Sequence, residues 1–88
     1  VALKYILDIR DFPDSPFGAL VVHDFETIVN DPEVDVVVET IGGTGVAYEY
    51  TRRALQAGKH VVTSNKELVA TQGRKLLALA EEKNINYL

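Results

Sequence analysis

Residues 35–63 constrain this chain more than any other stretch. An unbroken valine triplet, Val36-Val37-Val38, lies within Asp35–Thr40, and Gly42-Gly43-Thr44-Gly45 follows almost at once. Ala47, Tyr50, Ala54 and Ala57 then recur at helical spacing up to Gly58, and His60-Val61-Val62-Thr63 forms a second apolar run. A continuous apolar run without in-out alternation is what a strand covered on both faces needs, and such strands belong to parallel sheets. Parallel neighbours must be joined by a crossover of about a dozen or more residues, a length that a helix from about Val46 to Ala57 supplies. Gly58 stands where a helix C′ glycine belongs. The stretch therefore predicts a strand, a helix and a parallel strand.

The flanking segments extend this pattern. Ala2–Ile9 reads as a strand that Val1 enters almost directly, ended by the polar run Asp8-Ile9-Arg10-Asp11. Pro13, Pro16 and Gly18 make the next stretch a loop, and Leu20-Val21-Val22 is a short strand. Asp24 is placed to cap a short helix through Thr27, Ile28 and Val29, which Asn30-Asp31-Pro32 stops. After Ser64-Asn65-Lys66 a helical stretch is clearest from Gln72 to Lys83, with Leu76, Leu77, Leu79 and Ala80 as its apolar face and Asn84 as a cap. Ile85-Asn86-Tyr87-Leu88 begins a last strand. The expected fold is one α/β domain over residues 1–88: an incomplete Rossmann-like parallel sheet with right-handed crossovers and helices on both faces.

Composition narrows the function. With 88 residues and a net charge of −4, the chain lacks the clustered Lys and Arg that a phosphate backbone demands, so no nucleic-acid partner is expected. It has no Cys, which excludes disulfides, thiolate metal sites and cysteine nucleophiles and fits a cytoplasmic protein. Its apolar runs are too short to span a bilayer, and no signal-peptide pattern precedes them. The chain starts at Val1 without a Met, as a piece cut from a longer protein would.

In open parallel sheets, ligands bind beyond the carboxyl ends of the strands. Three such ends are polar or glycine-rich here, Asp8–Asp11, Thr40–Gly45 and Thr63–Lys66, and on one edge of one sheet they would form a single site. Thr40-Ile41-Gly42-Gly43 lets backbone approach a ligand and opens a helix, although a tight turn with no ligand would read the same way. It is not the G-x-G-x-x-G fingerprint. Lys66, behind Ser64 and Asn65, could hold an amide or a carboxylate, or be a solvated loop lysine. Arg10 could reach a ribose 2′-phosphate, or simply pair with Asp8 or Asp11. His23 and His60 show no visible partner, and Glu39 could be functional or pair with a lysine. No spacing of carboxylates or histidines implies a metal site or a catalytic acid-base pair within the chain.

Val37-Val38-Glu39-Thr40-Ile41-Gly42-Gly43, followed by Ala54-Leu55-Gln56-Ala57-Gly58-Lys59-His60-Val61-Val62-Thr63-Ser64-Asn65-Lys66, resembles the NAD(P)-binding domain of homoserine dehydrogenases. The resemblance covers essentially the whole chain and is strongest from Val36 to Ala70. Oxidoreductases of the glucose-fructose oxidoreductase type share Ala-Gly-Lys-His-Val but typically continue into Glu-Lys-Pro, where this chain has Ser-Asn-Lys. Dihydrodipicolinate reductase and aspartate dehydrogenase are more distant likenesses.

The resemblance implies interconversion of L-homoserine and L-aspartate 4-semialdehyde with NAD or NADP, in the biosynthesis of threonine, methionine and isoleucine, by a homo-oligomer. It assigns Ile41 and Gly42 to the cofactor, Lys66 to cofactor and substrate, and Arg10 to the 2′-phosphate; Thr40, Gly43, Ser64 and Asn65 complete the expected cofactor site. In that family a first strand with its glycine-rich turn would precede Val1, and the catalytic lysine and aspartate would follow Leu88. The 88 residues alone are accordingly expected to be inactive, to bind dinucleotide weakly, and to expose strand edges. A non-catalytic nucleotide-sensing module is the alternative from another class.

Overall fold

A computed structural model describes residues 2–88, so a strand start at Val1 lies outside the described residues. The chain divides into two compact units, residues 1–34 and 35–88. In the first, β1 (Ile6–Leu7) pairs in parallel with β2 (Val21–Val22), Ile6 opposite Val21 and Leu7 opposite Val22. A 3-10 turn, Gly18–Leu20, leads into β2. Helix α1 (Phe25–Val29) follows, and its Phe25 and Ile28 are buried. Asp24 caps it as expected, its side chain accepting from the Glu26 amide at 2.9 Å. The strand expected over Ala2–Ile9 shrinks to two residues because its partner β2 offers only two.

The second unit holds β3 (Val36–Glu39), α2 (Gly45–Gln56), β4 (His60–Thr63) and α3 (Lys66–Glu82). β3 and β4 are parallel and in register from Val36 opposite His60 to Glu39 opposite Thr63. Tyr87 bridges in parallel to Val61, so the last segment adds only a rudimentary third strand. Both helices end in a Schellman motif: the amides of Gly58 and Lys59 return to Leu55 and Ala54, and those of Asn84 and Ile85 return to Glu81 and Ala80. The residue that reverses the chain is left-handed in each case, Gly58 at φ 81° and Asn84 at φ 58°.

The strands are parallel and alternate with helices, as the sequence predicts, but they form two ladders, β1–β2 and β3–β4. Each ladder reproduces one flank of the 3-2-1-4-5-6 order, β2–β1 as 3-2 and β3–β4–Tyr87 as 4-5-6. Among the described residues no strand pairs with both, and β1 does not pair with β3.

In the second unit α2 packs on α3 and on both strands, over the sheet face that carries Val61. Ala47, Ala54, Leu55, Val61, Leu68, Leu76 and Ala80 form the core. Fully burying an aliphatic side chain such as Leu55, Leu68 or Leu76 contributes about 1.5–3 kcal/mol. On the opposite face Val36 and Val38 are 51% and 65% exposed, so α2 and α3 do not supply the second cover that the valine run anticipates. Leu77, placed by spacing on the apolar face of α3, is exposed as well. Helix α3 starts at Lys66, well before Gln72, and brings Leu68 into the core in place of Leu77.

Candidate functional site

The carboxyl ends of β3 and β4 meet in a hydrogen-bonded cluster. Glu39 and Thr63 are register partners at the two strand ends, and Glu39 is only 4% exposed. One Glu39 carboxylate oxygen accepts from the Thr63 hydroxyl and the other from the Ile41 amide, each at 2.7 Å. A buried carboxylate is tolerated only when hydrogen-bonded in this way. Thr63 Oγ1 in turn accepts from the Asn65 amide at 3.0 Å, and the Ser64 amide donates to the Glu39 carbonyl.

Asn65 links the glycine turn to α3. Its Oδ1 accepts from the Leu68 amide at 3.0 Å, capping the helix, while its Nδ2 donates to the Gly43 carbonyl. Gly42 and Gly43 both have positive φ, 85° and 69°, a conformation that side chains rarely adopt. A Cβ on either would meet nothing within 4 Å, so the space over the turn is open. Thr44, at the N-cap of α2, makes no side-chain cap bond. Beside the turn, Thr63, Ser64, Asn65, Lys66, Val69 and Ala70 line an open depression.

The structure thus brings Thr40, Ile41, Gly42 and Gly43 together with Ser64, Asn65 and Lys66 on one unit. All but Asn65 are exposed. Asn65 is nearly buried and spends its side chain on protein partners. Tyr87 is buried too. Burial first, and then the Glu39 charge, push the Tyr87 pKa up, while the Thr63 hydroxyl pulls the other way.

Arg10 belongs to the first unit. Its guanidinium pairs with Asp8 through Nε at 3.2 Å and Nη2 at 3.3 Å, and lies 5.1 Å from the centre of the Phe12 ring. The Asp8 hydrogen bonds raise the pKa of Arg10, and Arg10 lowers that of Asp8 in return. His23, which has no partner visible in sequence, has two here. Its Nδ1 lies 2.7 Å from the Asp8 carbonyl and its Nε2 2.8 Å from the Asp11 carboxylate. The other histidine, His60, accepts from the Asn86 amide through Nδ1 and so serves the sheet.

Sequence reasoning left Glu39 undecided and passed over Thr63 as a functional residue. The available signal was positional: each closes a four-residue strand, and equal positions in a parallel pair place them side by side.

Comparison with known proteins supplies the family. A family model described as the homoserine dehydrogenase NAD binding domain matches residues 13–88. The chain is 46% identical over 70 residues to a homoserine dehydrogenase of Neisseria gonorrhoeae, covering 80% of this chain and 16% of that protein. It is also 45% identical over 78 residues to scyllo-inositol 2-dehydrogenase (NADP(+)) of Bacillus subtilis, covering 86% of this chain and 20% of that one. A crystal structure of S. aureus homoserine dehydrogenase at pH 7.0 superposes with a TM-score of 0.87 at 32% identity, covering 98% of this chain and 23% of the other. The chain therefore spans between 16% and 23% of the length of these relatives. With residues 13–88 matched, it belongs to the homoserine dehydrogenase NAD-binding domain family.

Proposed function

We propose that this chain is the nicotinamide-dinucleotide-binding part of an oxidoreductase that interconverts L-homoserine and L-aspartate 4-semialdehyde with NAD(H) or NADP(H). The observation that carries the reading is the left-handed Gly42-Gly43 turn, open above, tied through Asn65 to the head of α3 where Lys66 is exposed.

The residues present fit a dinucleotide. The cofactor supplies the hydride chemistry; the chain supplies binding and orientation. Thr40, Ile41, Gly42 and Gly43 offer backbone and an apolar side chain to a flat ring and its ribose. Asn65 braces the turn, and Ser64 and Lys66 present a hydroxyl and an ammonium beside the depression. The ammonium would hold a carboxamide or the substrate carboxylate as a charge-assisted donor. In the first unit, Arg10 would take the 2′-phosphate of NADP(H).

The test is steady-state kinetics of Lys66→Ala in the full-length protein. A loss of at least about tenfold in kcat/KM for homoserine with an unchanged unfolding curve is expected, whereas a surface lysine would shift either by no more than about 0.5 kcal/mol. The likeness to scyllo-inositol 2-dehydrogenase (NADP(+)) favours polyol oxidation as the second reading. Assaying both alcohols side by side separates the two.

A further inference from the structure

The loop after β1 carries Arg10 of the proposed cofactor site and, held by the same loop, His23, which that site leaves without a role. Each ring nitrogen of His23 faces an acceptor, Nδ1 the Asp8 carbonyl at 2.7 Å and Nε2 the Asp11 carboxylate at 2.8 Å. A carbonyl oxygen can only accept, and so can an ionised carboxylate. A neutral imidazole has one N–H, so either tautomer would turn a lone pair toward one of these oxygens. Only the imidazolium satisfies both. The hydrogen bonds to the Asp8 backbone and to Asp11 accordingly raise the His23 pKa above its ordinary value.

The contacts close the loop. Asp8 and Asp11 bracket Ile9 and Arg10, and His23 directly follows β2, so the ring clasps the carboxyl end of β1 to that of β2. Asp8 also accepts the Arg10 amide at 2.9 Å and its guanidinium, which lies against Phe12. The charged groups around the ring are Asp8, Arg10 and Asp11 from this loop, and Asp24 next to it in the chain. With His23 protonated, Asp8, Arg10, Asp11 and His23 sum to zero formal charge. With His23 neutral the sum is −1, and Asp11 is released beside Arg10.

We propose that His23 is a positioning residue for the 2′-phosphate subsite: as an imidazolium it fixes the Asp8–Phe12 loop and offsets Asp11, so that Arg10 can accept a dianion. The proposal rests on the assignment of Arg10 to that phosphate and adds the regulation of the subsite. Selectivity for NADPH over NADH then falls as pH rises through the His23 pKa, because the loop gains a negative charge that only the phosphorylated cofactor meets.

The experiment titrates the full-length protein with NADPH and with NADH from pH 6 to 9, for wild type, His23→Gln and Arg10→Ala. The 2′-phosphate itself ionises near pH 6 in every variant, so the difference between variants is the readout. In wild type, the NADPH/NADH affinity ratio, taken relative to that of His23→Gln at each pH, should fall about two- to fivefold with rising pH, the range of an exposed charge pair. An equal pH dependence in the two proteins overturns the proposal. Arg10→Ala with the wild-type ratio sinks the Arg10 assignment and the proposal with it. Loss of the ratio in Arg10→Ala, with His23→Gln behaving as wild type, removes the His23 role alone. Absence of NADPH binding overturns both. An NMR titration of the His23 ring provides a second test: a midpoint above about 6.5, shared by the Arg10 and Phe12 amides, is expected. A midpoint at or below it contradicts the clasp.

Discussion

Glu39 and Thr63 end adjacent parallel strands, and the Thr63 hydroxyl donates to the buried Glu39 carboxylate at 2.7 Å across the pair. The contact joins the turn after β3 to the start of α3, because the same carboxylate holds the Ile41 amide and Thr63 holds the Asn65 amide.

Replacing Glu39 tests that junction. Glu39→Ala strands the Thr63 hydroxyl and the Ile41 amide and should cost about 1.5–3 kcal/mol, the range for hydrogen bonds to a charged group. Glu39→Gln should cost less, since a carboxamide can accept from the Ile41 amide and donate to Thr63. Urea unfolding of the three proteins checks the order, and equal midpoints for Glu39→Ala and wild type would contradict it.

Asn65 has two separable tasks. Asn65→Asp keeps an oxygen for the Leu68 amide but loses the donor to Gly43 and places a carboxylate near that carbonyl. Asn65→Ala loses both, and loss of an N-cap alone costs about 1 kcal/mol. Hydrogen exchange at the Leu68 amide should therefore accelerate in Asn65→Ala and not in Asn65→Asp. Equal protection in the two variants would show that Asn65 does not cap α3.

Much of this was legible in the sequence, and the losses have physical causes. β4 and α2 fall almost where periodicity and Gly58 place them, because local pattern and burial agree there. Helix α3 is legible as a stretch after Lys66, clearest from Gln72, but its starting residue is not. Its first turn depends on the Asn65 cap, and an Asn before a Lys reads equally well as a turn. The partners of His23 come from the segment Asp8–Asp11, a separation that periodicity does not register. Whether strands join into one sheet is decided by which strand lies between them, and the pattern of residues 2–9 and 36–39 contains no such information.

Acid should weaken the first unit through Asp31. Hydrogen bonds from Lys4, then from Tyr5 and the Glu33 amide, lower its pKa to about 2. With the unfolded value near 3.9, the contribution is complete above about pH 4 and is lost as pH falls through about 2. Asp31→Asn should flatten the stability profile over that interval. His23, with a raised pKa, acts with the opposite sign: its contribution is complete below about pH 6.5 and disappears as pH rises through its folded value. A pH series of chemical denaturation on wild type, Asp31→Asn and His23→Gln reads both; an Asp31→Asn profile parallel to wild type between pH 4 and 2 would contradict the first.

The turn after β3 and the head of α3 are proposed as a nicotinamide-dinucleotide site, and isothermal titration of the full-length protein with NADH and NADPH, with Gly43→Val as the companion variant, measures that binding. Gly43 has φ 69° and open space above it, so a β-branched side chain there both strains the turn and fills the approach to it. Saturable binding of at least one cofactor by wild type, weakened tenfold or more (about 1.4 kcal/mol) in a Gly43→Val protein that keeps its circular dichroism spectrum, is the predicted result. Cofactor binding unchanged by Gly43→Val, or no binding of either cofactor by folded wild type, would contradict the account.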